Sequence, residues 1–179
     1  MEQKELKRIL KKLSDGEISG EEAYLRIREE PFTDLGFAKI DRHRQIRQGA
    51  AEVIYGAGKS AGQIAKIAET MLEAGTKTIL ITRMSMDKTS EVKEKLYSSK
   101  GVLGTDRYLF TDDIFPDGAV PFFYDRDAQA AVIGRFPEPD GNGTIVIAAA
   151  GTSDLYAAQE AVLTAKALGN EVITLYDVG

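Results

Sequence analysis

The stretch Thr144-Ile145-Val146-Ile147-Ala148-Ala149-Ala150-Gly151-Thr152-Ser153-Asp154 decides the fold class. Thr144 to Ala150 reads as an apolar run of strand length, ended by a glycine, and Thr, Ser and Asp are the residues that open a helix. Asp154 to Leu168 has helical character, with Ala157, Ala158, Ala161, Val162, Ala165 and Leu168 largely on one side. Glu171 to Tyr176 then reads as a second strand. Strand, helix, strand is a βαβ unit with a parallel pair, and strands this apolar are expected to be buried on both faces. The chain is therefore expected to be α/β.

Working back toward the amino end, Phe136-Pro137-Glu138-Pro139-Asp140-Gly141-Asn142-Gly143 is a run of turn formers and is expected to link two regions. Before it, Ala119 to Tyr124 and Ala128 to Phe136 read as paired strands, preceded by turn-rich sequence through Asp117-Gly118. A polar helix is expected over about Thr89 to Tyr97, and a strand at Thr78 to Thr82. Ser60 and Gln63 form a capping box at the head of a helix with Ile64, Ile67, Ala68, Met71 and Leu72 on its apolar face, and Gly75 stops that helix. Glu52-Val53-Ile54-Tyr55 is strand-like. Nearest the start, Leu6, Ile9, Leu10 and Leu13 mark the stripe of one helix. Ser19 and Glu22 cap a second, with Ala23, Tyr24 and Ile27 inward, and Pro31 soon follows. The expected organisation is a helical arm over 1–31, an α/β region over 32–140 and a βαβ unit over 144–179.

Composition excludes several classes of function. The 179 residues carry a formal net charge of -5, which disfavours a general nucleic-acid binder, because the phosphate backbone rewards a basic surface. No apolar run approaches the roughly 20 residues that cross a bilayer, and the start lacks the apolar core of a signal peptide, so neither membrane insertion nor export is expected and a cytoplasmic location is the default. With no cysteine and one histidine, the chain offers no thiol nucleophile and no zinc site of the usual type.

Three groups of residues could carry chemistry. At Gly151, Thr152, Ser153 and Asp154, a glycine turn between strand and helix presents unpaired N–H groups and the positive end of a helix dipole, which suit a phosphate or carboxylate. Simple N-capping explains the same residues equally well. The second group is basic: Lys39, Arg42, Arg44 and Arg47, with Asp41 and Glu52 interleaved, where arginines two apart on extended backbone could grip an anion from one side. A solvated charge cluster is the simpler account, and His43 between them has no role that spacing assigns. Third, Gly58-Lys59-Ser60 ends like a P-loop. The full pattern needs a glycine where Val53 stands, so a triphosphate loop and a phosphotransferase are disfavoured, while Lys59 can still face an anionic ligand.

Gly151-Thr152-Ser153-Asp154-Leu155, Gln159-Glu160-Ala161, Leu168-Gly169-Asn170-Glu171-Val172 and Tyr176-Asp177-Val178-Gly179 resemble the first βαβ of the LarB-type branch of the AIR carboxylase (PurE) superfamily. Upstream, Phe37-Ala38-Lys39, Asp41, Arg44, Arg47, Gly49, Glu52-Val53-Ile54, Gly58-Lys59 and Thr82-Arg83 are similar to the LarB amino-terminal region. The resemblance implies the start of a flavodoxin-like three-layer αβα domain and self-association into a homo-oligomer. The implied activity belongs to nickel-pincer nucleotide cofactor synthesis: nicotinic acid adenine dinucleotide and carbon dioxide are taken up, the pyridinium ring is carboxylated, and the pyrophosphate is cleaved with Mg2+ to release AMP. Carried over, Gly151, Thr152, Ser153 and Asp154 would hold a phosphate or carboxylate, and Lys39, Arg44, Arg47 and Lys59 would contact the anionic substrate. Members of that branch continue past Asp-Val-Gly to a cysteine that attacks the ring, a step the electron-poor pyridinium needs before it can attack carbon dioxide. No cysteine occurs here, so the expectation is a portion of such an enzyme that is inactive by itself, with its catalytic residues unassigned. The alternative is a non-catalytic nucleotide-binding or assembly module.

Overall fold

The structure is a computed structural model and describes residues 3–28, 32–41, 52–110 and 113–178. Contacts group the chain into two compact units, Met1–Gly49 and Ala50–Gly179.

In the first unit, helices α1 (Gln3–Ser14) and α2 (Gly20–Arg28) form the expected hairpin. They close on Ile9, Ile18 and Ala23, with Ile27 packed against them. Ser19 Oγ accepts the Glu22 N–H at 3.1 Å, as the cap required, and the Glu22 carboxylate accepts from Arg26 at 2.7 Å. Two details differ from the expected stripes. Tyr24 is 60% exposed rather than inward, and Leu10 and Leu13 stay largely open, because a two-helix hairpin has only one narrow seam to fill. A ribbon of β1 (Phe32–Asp34) and β2 (Lys39–Asp41), antiparallel with Phe32 opposite Asp41, follows.

The second unit is built on a five-stranded sheet in the order β3-β4-β7-β6-β5. Its strands are β3 (Glu52–Tyr55), β4 (Thr78–Thr82), β5 (Val102–Thr105), β6 (Val120–Asp125) and β7 (Ala130–Gly134). β3 runs parallel to β4 and β5 parallel to β6, while β7 sits antiparallel between β4 and β6. Every residue of β4 is buried, as a strand covered on both faces must be.

Helix α3 (Ala61–Glu73) begins with a full capping box: Ser60 Oγ accepts the Gln63 N–H at 3.2 Å and Gln63 Oε1 accepts the Ser60 N–H at 2.9 Å. It ends in a Schellman turn at Gly75, with the Gly75 and Thr76 N–H groups returning to the carbonyls of Leu72 and Met71. Ser60→Ala, which leaves the Gln63 N–H without its acceptor, is expected to lower stability by about 1 kcal/mol, read as a lower urea midpoint at unchanged slope. Helix α4 (Met86–Lys100) is longer than its Thr89–Tyr97 core and stops at Gly101 in the left-handed conformation.

β5 corrects the turn-rich reading of that region. It has four residues with only Val102 buried, too little pattern to mark it, and it exists because β6 offers a parallel edge.

β8 (Thr144–Ala149), a 3-10 turn (Thr152–Asp154), α5 (Leu155–Ala167) and β9 (Glu171–Tyr176) form the expected βαβ, with all six residue pairs of β8 and β9 in parallel register. Leu163 and Ala167 of α5 join Leu80, Ala130, Val132 and Phe136 in one core. The five-stranded sheet thus has α5 on that face, while α3 and α4 pack on strands from the other, a layered α/β arrangement. Phe136, first of the turn formers, is fully buried and its N–H reaches the Leu109 carbonyl at 2.8 Å.

Burial of β8 and β9 on both faces is not found. Thr144, Val146 and Ala148, paired with Glu171, Ile173 and Leu175, make an exposed outer face, with Val146 at 56% and Ile173 at 49%. One helix covers one face only. Ala157, Ala161 and Leu168 are exposed as well, because α5 turns different residues to the sheet.

Candidate functional site

The ends of β3 and β4 lie level, with Tyr55 opposite Thr82. Carboxyl ends of parallel strands are where α/β proteins hold ligands. The turn leaving β3 presses against β4: the Gly56 N–H donates to the Thr82 carbonyl at 2.7 Å, and a Cβ on Gly56 would lie 2.9 Å from that oxygen and 3.3 Å from the Arg83 carbonyl. Only glycine fits so close an approach. Gly58 takes a φ of 75° and the Lys59 N–H closes on the Gly56 carbonyl at 3.2 Å. A turn this tight leaves no room to wrap a triphosphate, in keeping with Val53 lying inside β3.

Arg83 follows β4 with a φ of 54°, a left-handed conformation that is uncommon for a non-glycine residue. Its neighbours hold it there. The Met84 N–H donates to the Gln129 carbonyl at 2.8 Å, and Tyr124 Oη donates to the Met84 carbonyl at 2.9 Å. Burial pushes the Tyr124 phenol up from its ordinary pKa, so it stays a donor. From this fixed backbone the Arg83 guanidinium reaches α5, pairing with Glu160 at 3.0 Å and lying 4.7 Å from the centre of the Tyr156 ring. Burial first, and then the Glu160 charge, raise the Tyr156 phenol.

Tyr156 is the second residue of α5, directly after the turn made by Gly151, Thr152, Ser153 and Asp154. That turn has the expected form. Gly151 is extended, the Asp154 N–H donates to the Gly151 carbonyl at 3.1 Å, and Ser153 Oγ donates to Asp154 Oδ1 at 3.3 Å. All four residues are exposed, and neither Ser153 nor Asp154 makes a side-chain cap bond to the helix. The opening N–H groups of the helix have no intrahelical partners, which leaves them free to face an anion.

Of the residues singled out from sequence, Gly151, Thr152, Ser153 and Asp154 come together in this turn, and Lys59 lies on the β3–α3 loop of the same unit. Among the described residues no hydrogen bond or ion pair joins Lys59 to the turn. Lys39 lies in β2 of the first unit. Arg42, His43, Arg44 and Arg47 lie outside the described residues.

Two residues enter that spacing did not select. Arg83 was legible only as half of Thr82-Arg83, with nothing local to show its turn toward α5. Lys88, in the first turn of α4, donates to the Gly56 carbonyl at 3.4 Å and so brings an ammonium to the β3 turn. A lysine just inside a helix that follows a parallel strand is the available signal for it. Among the described residues no three His, Cys, Asp or Glu side chains gather as a metal site. Asp154 does offer a single carboxylate beside the N–H groups that open the helix, and Mg2+ is commonly held by one or two carboxylates together with substrate phosphates. No helix among the described residues is long and apolar enough to cross a membrane.

Over 177 residues, 98% of its length, the chain is 27% identical to an uncharacterized protein of Methanocaldococcus jannaschii, and it spans 62% of that relative's length. Residues 32–100 match the family described as the LarB/PurE-like N-terminal domain, a stretch that takes in the Gly56 turn, Arg83 and Lys88. The likeness to the LarB/PurE-like family is carried by this stretch of the chain.

Proposed function

We propose that this chain binds the nucleotide in a LarB-type reaction, in which nicotinic acid adenine dinucleotide is carboxylated with carbon dioxide and AMP is released. The observation that supports it best is the match of residues 32–100 together with the arrangement of Arg83, which ties the end of β4 to the helix that opens at Gly151. In this reading the N–H groups at Thr152 and Ser153 receive a phosphate or carboxylate, and Ser153 Oγ turns from Asp154 to the ligand. Arg83 is a positioning residue for the start of α5, and its cationic face contributes to the field at the turn. Lys59 and Lys88 border the β3 turn. Donors fixed before the ligand arrives stabilise charge without reorganising, which suits a reaction that builds a carboxylate and releases a phosphate. Asp154 would be the residue to hold Mg2+ beside the nucleotide, and the ion would supply charge neutralisation at the pyrophosphate.

These 179 residues contain no cysteine to supply the thiol that the resemblance implies. That fact favours nucleotide binding without turnover as the property of this chain alone.

Calorimetric titration with nicotinic acid adenine dinucleotide and Mg2+ tests the reading. Binding is expected, and a Ser153→Ala, Asp154→Ala variant should weaken it by about tenfold or more, since each charge-assisted bond carries roughly 1.5 to 3 kcal/mol. Arg83→Ala should weaken it less. A folded chain that does not bind, or a variant that binds as tightly as the parent, overturns the proposal.

A further inference from the structure

A cavity in the second unit lies at the opposite edge of the sheet, where β4 and β6 begin and α3 and α4 end. It measures about 530 Å³, within the roughly 300 to 1,000 Å³ usual for small-molecule sites. Four steps along β4, from Thr78 to Thr82, at about 3.3 Å each, separate this edge from the turns described above by roughly 13 Å.

Leu72, Val120 and Pro121 give the cavity an apolar wall, and Lys77, Lys100 and Arg135 ring it with cations. One carboxylate, Glu73, stands among them, paired with Lys100 at 2.8 Å. Positive charge therefore prevails locally in a chain whose net charge is -5. The other two cations are not consumed in the same way. Lys77 Nζ has no hydrogen bond or ion pair among the described residues. Arg135 is held by one arm, its Nη1 donating to the Phe110 carbonyl at 2.9 Å and the Asp113 carbonyl at 2.6 Å. That grip fixes the guanidinium plane while its remaining N–H groups have no partner among the described residues, the condition for a preorganised anion donor.

The backbone is equally fixed here. Gly134, at a φ of 90°, lies so close to the Lys77 carbonyl that no side chain could be accommodated, and Thr78 Oγ1 donates to the Arg135 carbonyl at 2.5 Å. Lys77 and Arg135 thus flank one locked contact between β4 and β7, which holds their spacing constant.

We infer that this cavity is a second ligand site, independent of the Gly151 turn, that takes a small amphipathic anion: an apolar body against Leu72, Val120 and Pro121 and a carboxylate between Lys77 and Arg135. The probes are 4-phenylbutyrate and 4-phenylbutylamine, which share a body and differ in the sign of the head group. With the full chain labelled with 15N, the carboxylate should produce saturable shifts at the amides of Gly75, Lys77, Val120 and Gly134, with a Kd of about 1 mM or tighter, as fits a ligand of this size. The amine should bind at least about fivefold more weakly, and Lys77→Glu, at an exposed position that leaves the spectrum otherwise native, should weaken the carboxylate by a similar factor. No saturable shift at these amides below about 10 mM overturns the inference. So does equal binding of the two probes, an unchanged affinity in Lys77→Glu, or shifts confined to the outer face of β8 and β9.

Discussion

Gly134→Ala is expected to cost about 3 kcal/mol or more, or to prevent folding outright, because the added methyl meets the Lys77 carbonyl with no space to retreat. The collision falls at the first residue pair of β4 and β7, where Thr78 stands opposite Gly134. Relief would require the two strands to part, and β4 is buried along its whole length. Gly75→Ala is the control. Gly75 has a comparable φ of 84° but nothing within 4 Å of a built Cβ, so it should lose only the left-handed strain of about 1 to 2 kcal/mol. Urea unfolding of both variants separates the effects. Equal losses would mean that the close approach at Gly134 is not what the chain requires.

Phe136→Ala should cost about 3 to 5 kcal/mol, a large share of the total stability of a domain of this size, and lower the midpoint of thermal unfolding by on the order of 10 °C. Phe136 is fully buried, with the Tyr108 ring 5.1 Å away at 84° and Phe110 at 6.0 Å. Its core also takes in Leu163 and Ala167 of α5, and Lys166 reaches over the same Tyr108 ring at 4.5 Å. The variant is therefore informative about the organisation of the chain. If residues 144–179 form a region of their own, amide protection in α5 survives the substitution. If α5 depends on the sheet, protection at Val162 and Leu163 falls together with that of β4 and β7.

What could be read from residues alone was local chemistry. Ser60 with Gln63 and the glycine stop at Gly75 are contained within a few residues and have the expected geometry, while Ser19 forms its half of the box and the Glu22 carboxylate turns to Arg26. Apolar runs located β4, β6, β7, β8 and β9, but runs do not state order, and nothing in Ala128 to Phe136 announced that this strand would be inserted between β4 and β6. Exposure was harder still. Val146, Ile173 and Leu175 look like core residues by type, and only the count of covering helices shows that they are not. For the candidate site, the Gly151 turn was legible because strand, glycine and helix start are contiguous. Arg83 and Lys88 were not selected, since each acquires meaning from a partner far along the chain, Glu160 for one and Gly56 for the other.

The position of β7 bears on how the molecule comes to be made. It occupies the centre of the sheet and is the one strand there that runs against its neighbours, yet Ala131, which joins Ile81, comes fifty positions later in the chain. At about 5 to 20 residues per second, a nascent chain holds β3, α3 and β4 for roughly 3 to 10 s before the middle of the sheet arrives. During that interval the open side of β4, all isoleucine, leucine and threonine, is unpaired. Long-range pairing of this kind also slows folding, since loop closure must precede the contacts that reward it. The segment from Val120 to Gly134 therefore sets the rhythm of assembly, and the period before it emerges is when the chain is most in need of a chaperone.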